Sequence, residues 1–78
     1  MISISDLKIG ERARICGYHK GRDGYRQKLL SMGLTSGAEF KLIRKAPLGD
    51  PIQIEVRDFC LTLRSAEAEL LKIERYDS

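Results

Sequence analysis

Three side chains in this 78-residue chain have the chemistry to hold a soft metal: Cys16, His19 and Cys60. Cys16 and His19 stand in a C-x-x-H spacing, and Cys60 is remote in sequence. A closed structural zinc site takes four ligands, mostly Cys or His, and this chain has two Cys and one His. No metal site is therefore expected. The two thiols read as strand residues and His19 as a loop residue. They follow no disulfide-framework spacing, which suits reduced cysteines in a cytoplasmic protein.

Covalent or acid–base catalysis is no better supplied. His19 is the only imidazole, and Ser31, Ser36 and Ser65 fall at turn or cap positions. The phosphate-cradling pattern Gly-x-x-x-x-Gly-Lys-Ser/Thr is absent. No catalytic residue and no cofactor is expected, and the chain reads as a non-enzyme. A small chain buries only about 60% of its unfolded surface, leaving little room for a deep cleft.

Charge offers a different chemistry. The net charge is +3, but residues 1–45 carry ten Lys/Arg against four Asp/Glu, while residues 46–78 carry four against seven. A basic half suits an acidic protein partner, an anionic surface or nucleic acid. Nucleic-acid binders of this size add aromatic rings on which bases stack. Here Phe40 and Phe59 read as inward residues, which leaves Tyr18, Tyr25 and Tyr76. A small-barrel nucleic-acid module is thus the alternative reading, and no nucleic acid is expected.

The elements that would position these groups are set by periodicity. Ser5–Lys8 reads as a short helical turn capped by Ser5 or Asp6, pinned by Ile2, Ile4, Leu7 and Ile9 and closed by Gly10. Glu11–Tyr18 alternates as a first strand, with Ala13, Ile15 and Gly17 inward and Arg12, Arg14 and Cys16 outward. His19–Gly24 is a loop, and Asp23 is placed to cap the next element. Tyr25–Met32 reads as a helix of two turns, with Tyr25, Leu29 and Met32 on one apolar stripe and Arg26 and Lys28 off it. Gly33 stands where a left-handed helix-ending residue belongs, succeeded by an apolar Leu34.

Beyond the turn at Gly37, Glu39–Lys45 is a second strand whose alternation breaks at Ile43, the mark of a bulge. Ala46-Pro47-Leu48-Gly49-Asp50-Pro51-Ile52 reads as a rigid reversal. Pro47 fixes its own φ, Gly49 supplies a positive φ, and Asp50 can accept from nearby backbone N–H groups. Leu48 sits near its tip, either folded back or offered to a partner. Ile52, Ile54 and Val56 alternate as a third strand. After an Arg57-Asp58 turn, Phe59, Leu61 and Leu63 alternate inward as a fourth. A helical turn capped by Ser65 leads to a fifth strand at Leu71 and Ile73, and Tyr76–Ser78 is a frayed tail. The sum is one domain over residues 1–78: a small, partly open, five-stranded barrel with one short helix between the first two strands.

No apolar run approaches the ~20 residues of a bilayer span, and the first residues lack the basic and apolar regions of a secretory signal.

The ordered motifs Leu30-Ser31-Met32-Gly33-Leu34, Gly37, Ala46–Ile52 and Leu61-Thr62-Leu63-Arg64 together resemble the ferrous iron transport protein A (FeoA) family, from about Asp6 to Ile73. The resemblance implies an SH3-like barrel and a small cytoplasmic accessory protein of ferrous iron uptake. It implies a partner, the membrane transporter FeoB with its cytoplasmic G-protein domain, and a place at the inner membrane through that partner. SH3-like domains of metal-dependent repressors are related, so a metal-responsive interaction domain is a further alternative. Within this frame Arg26, Lys28 and Leu48 are the expected docking residues. Met32, Gly33, Gly37, Pro47, Gly49, Asp50, Pro51 and Arg64 are expected to be structural, and Arg64 is also placed to meet an acid across the sheet or on a partner.

Overall fold

In a computed structural model, residues 2–21 and 23–76 are described, without the side chain of Asp23. The expected cap at Asp23 and the tail residues Asp77 and Ser78 lie outside them. Five strands form one antiparallel sheet: β1 Arg12–Tyr18, β2 Glu39–Lys45, β3 Ile52–Val56, β4 Phe59–Leu63 and β5 Leu71–Arg75. Their order is β4-β3-β2-β1-β5, so successive hairpins build one side and β5 returns to pair with β1. Helix α1, Asp23–Ser31, lies between β1 and β2, and the single-turn α2, Ser65–Ala68, joins β4 to β5. This is the mainly β, SH3-like architecture that the periodicity and the resemblance predict.

Alternation fills the core from each strand. Ala13 and Ile15, Phe40 and Leu42, Ile52, Ile54 and Val56, Leu63, and Leu71 and Ile73 are all buried. Leu29 of α1 and Leu34 close the barrel from above, with Tyr25 and Met32 packed at the rim. α1 ends where Gly33 takes φ +87°. The Leu34 N–H then reaches the Leu29 carbonyl at 3.0 Å, and the Gly33 N–H reaches that of Leu30 at 3.0 Å. This pair of bonds satisfies the last carbonyls of the helix and turns Leu34 into the core.

The bulge predicted at Ile43 is present, where the β2–β3 register shifts between Leu42 and Arg44. A second one was not legible. The β1–β5 register shifts between Ile15 and Gly17, so Cys16 is the extra residue. One extra residue reverses the parity of everything after it. Gly17 therefore sits opposite Lys72 on the outer face instead of inward, and Tyr18 sits opposite the buried Leu71.

Other expectations need correction. The first helical turn is Ile4–Asp6 and its cap is Ser3, whose hydroxyl accepts from the Ser5 N–H at 3.3 Å while Asp6 accepts from the Ser3 N–H at 3.0 Å. Ile9 is 64% exposed and pins nothing. Ser65 is inside α2 rather than its cap; Glu67 accepts from the Arg64 N–H at 3.1 Å instead. Asp50 does not fold onto its own turn but accepts from the Ser65 N–H at 2.9 Å, joining the β2–β3 reversal to α2. Tyr76 is not frayed: its N–H donates to the Arg12 carbonyl at 3.0 Å and its ring lies under Arg14. Phe59 is 70% exposed although it pairs with the buried Val56, because it opens β4, a strand at the edge of the sheet, beside the β3–β4 turn.

Candidate docking surface

The three expected docking residues occupy three different environments. Lys28 is turned towards the body: its ammonium lies 2.6 Å from the Glu67 carboxylate on α2. Glu67 is 3% exposed and is the buried charged residue of the described core. The Lys28 contact holds its carboxyl below the usual glutamate range, the Arg64 N–H adds to this, and burial opposes it. Lys28 is thus engaged with Glu67 while its side chain stays 54% exposed.

Arg26 lies on another face of α1, since residues two apart on a helix do not face each other. Its guanidinium carbon lies over the Tyr18 ring, 5.4 Å from the centroid, a cation–π contact. The Tyr18 hydroxyl in turn donates to the Leu34 carbonyl. Burial pushes the Tyr18 phenol up, with Arg26 opposing. The Cys16 bulge is what points Tyr18 this way. The result is a concavity of about 700 Å³ beside the β1–α1 loop, in which Tyr18, Lys20, Arg26, Leu30 and Leu70 form much of the wall. Neither Lys28 nor Leu48 lines it.

Leu48 stands on the reversal between β2 and β3 and is 95% exposed. The turn beneath it is rigid: Gly49, at φ +81°, donates its N–H to the Ala46 carbonyl at 2.7 Å, and the Ala46 N–H donates to the Pro51 carbonyl at 3.0 Å. The fold offers Leu48 to solvent rather than to the core. A further groove of about 490 Å³ runs between the turn after α1 and the β3–β4 hairpin, with Met32, Val56, Phe59 and Leu61 on its walls.

The residues weighed for metal chemistry are dispersed on the surface. Cys16, His19 and Cys60 are all exposed. Among the described residues no three His, Cys, Asp or Glu side chains are grouped to hold an ion. Arg64 is exposed and lies near enough to Glu67 to contribute to its low pKa. Sequence reasoning missed Tyr18, Lys20, Leu30 and Phe59. Leu30 had a signal, being an apolar residue off the helix stripe and 39% exposed. Tyr18 had none, because the bulge that turns it inward leaves no trace in the alternation.

Comparison with known proteins gives a consistent family picture. The model of the FeoA domain matches residues 2–75. A fusion of Fe(2+) transport protein A with Fe(2+) transporter FeoB from Porphyromonas gingivalis is 31% identical over 75 residues. That match covers 96% of this chain but only 9% of the fusion protein, so the chain spans about a tenth of that relative's length. The solution structure of FeoA from Chlorobium tepidum superposes with a TM-score of 0.86 at 36% identity, covering 97% of this chain and 71% of that one. Stenotrophomonas maltophilia FeoA, described as a prokaryotic SH3 domain protein complexed with zinc, shares the fold at 22% identity and a TM-score of 0.80, covering 95% and 91% of the two chains.

Proposed function

This chain belongs to the FeoA domain family, and on that premise we propose that it is an accessory protein of ferrous iron uptake that docks onto the cytoplasmic part of a FeoB-type transporter. The fused relative supports the pairing. Covalent linkage of two modules raises their effective mutual concentration, to the millimolar range for short linkers, and is useful where the two act together. A second relative is named as a candidate ferrous iron transport activating factor. The docked partner would bring the domain to the inner membrane; among the described residues no helix is long and apolar enough to cross one.

The observation that carries the docking mode is Leu48. An apolar side chain 95% exposed on a proline-held turn is a ready anchor, with little conformational entropy left to lose on binding. Arg26 supplies a second, charged contact. The domain acts by binding one state of the transporter better than another and so shifting its population, without chemistry of its own.

The test is binding to the transporter's soluble cytoplasmic domain, with and without guanine nucleotide. The Arg26→Glu, Leu48→Asp double variant keeps Lys28 and its pair with Glu67, and should fold normally while binding about tenfold or more weakly. Wild-type affinity in that variant would place the interface elsewhere.

A further inference from the structure

The concavity beside Tyr18 is built from two kinds of wall. One is cationic: Arg26, and Lys20 on the β1–α1 loop. Among the described residues neither is in an ion pair, and no carboxylate lines the cavity. The other wall is apolar: Leu30, 39% exposed, and Leu70, 8% exposed.

Arg26 is held ready. The Tyr18 ring beneath it is partly buried, and its hydroxyl donates to the Leu34 carbonyl. A cation–π contact uses no N–H donor of the guanidinium, so its fork is left to donate to a carboxylate. The loop that brings Lys20 is also tied down. The His19 N–H donates to the Leu70 carbonyl at 2.7 Å, and a Cβ at Gly21 would come within 3.0 Å of the Leu70 side chain. Any larger residue here would press on the Leu70 side chain and require it to shift. A fixed cation with no acid beside it among the described residues, next to a partly uncovered leucine, is half of a complementary pair.

We propose that this pocket receives a peptide segment of a protein partner in which an acidic side chain neighbours an apolar one. The carboxylate meets Arg26 and Lys20, and the apolar side chain covers Leu30. A bare phosphate would engage the cations but leave the leucine wall wet, which is why the peptide is the occupant the walls fit. The inference rests on the docking reading in taking the partner to be a protein, and it gives that reading a contact separate from Leu48.

The experiment is amide NMR of the intact domain titrated with a panel of blocked hexapeptides in which Asp or Glu adjoins Leu, in both orders. The expected result is that at least one shifts the amides of His19, Lys20, Gly21 and Gln27. Its amidated form, with Asn or Gln for the acid, and its Leu→Ser form should each bind more weakly, the former by about tenfold or more. Arg26→Gln should abolish the shifts, and Lys20→Gln gives a second reading should the first variant unfold. The inference is overturned if no member of the panel shifts these amides. It is equally overturned if the amidated peptide binds as well, or if inorganic phosphate alone produces and saturates the same shifts. No transporter is present in this assay. A failure here therefore leaves the transporter-binding test intact, and a failure there leaves the peptide result standing.

Discussion

The ammonium of Lys28 lies 2.6 Å from the carboxylate of Glu67, and this contact joins α1 to the turn between β4 and β5. It ties the helix that covers the barrel to the segment that leads its last strand home. Because the Glu67 carboxyl titrates below its usual range in the folded state, the fold is stabilised by its ionised form. That stabilisation is fully present above the glutamate value of the unfolded chain and is lost as pH falls through the lower folded value. Thermal unfolding between pH 7 and pH 3 should show a midpoint that drops below about pH 4.5. In Glu67→Gln the acid limb should be flatter and stability at pH 7 lower by about 1–3 kcal/mol, since a buried charged acceptor is lost.

Gly33→Ala tests the end of α1. The φ of +87° costs an L-residue about 1–2 kcal/mol, and nothing lies within 4 Å of the added Cβ. The penalty should therefore be conformational alone. Urea unfolding should show a lower midpoint with an unchanged m-value.

Asp50→Ala removes the acceptor for the Ser65 N–H. Loss of a cap of this kind costs about 0.5–2 kcal/mol. Chemical denaturation should find that cost. Amide exchange should quicken at Ser65, although residue 50 is 15 positions away in sequence.

Leu48→Ser should separate binding from folding. A residue 95% exposed contributes little to the core, so stability should stay within about 0.5 kcal/mol of wild type by urea titration. Binding to the transporter's cytoplasmic domain should weaken by about tenfold, the loss expected of an apolar anchor. Unchanged binding would remove Leu48 from the interface.

The strand assignments are legible because a half-buried strand must alternate: β3 and β5 do so cleanly, and β2 does so up to the bulge at Ile43. Gly33, Gly37 and Gly49 are legible for a different reason. Each takes the positive φ that other residues avoid, so the residue type itself reports the backbone. Phe59 misleads because alternation says which face a side chain is on, not whether its strand lies at the edge of the sheet, where a neighbour on one side is missing. The pairing of the exposed Lys28 with Glu67 is not legible because the partner is remote in sequence, on an element of a single turn.

The sequence alone determined the small five-stranded architecture, the rigid reversal that carries Leu48, and the membership in the FeoA domain family. Those properties are local, or are carried by residue types that have few alternatives at their positions. Tertiary structure alone decided that Leu48 faces solvent, that Asp50 and Lys28 act across the molecule, and that Tyr18 turns inward to support Arg26. Each of these depends on where a second, distant element packs. The bulge at Cys16 shows why: one unpaired residue in β1 reverses the facing of Tyr18, and only the register with β5 reveals that it is there.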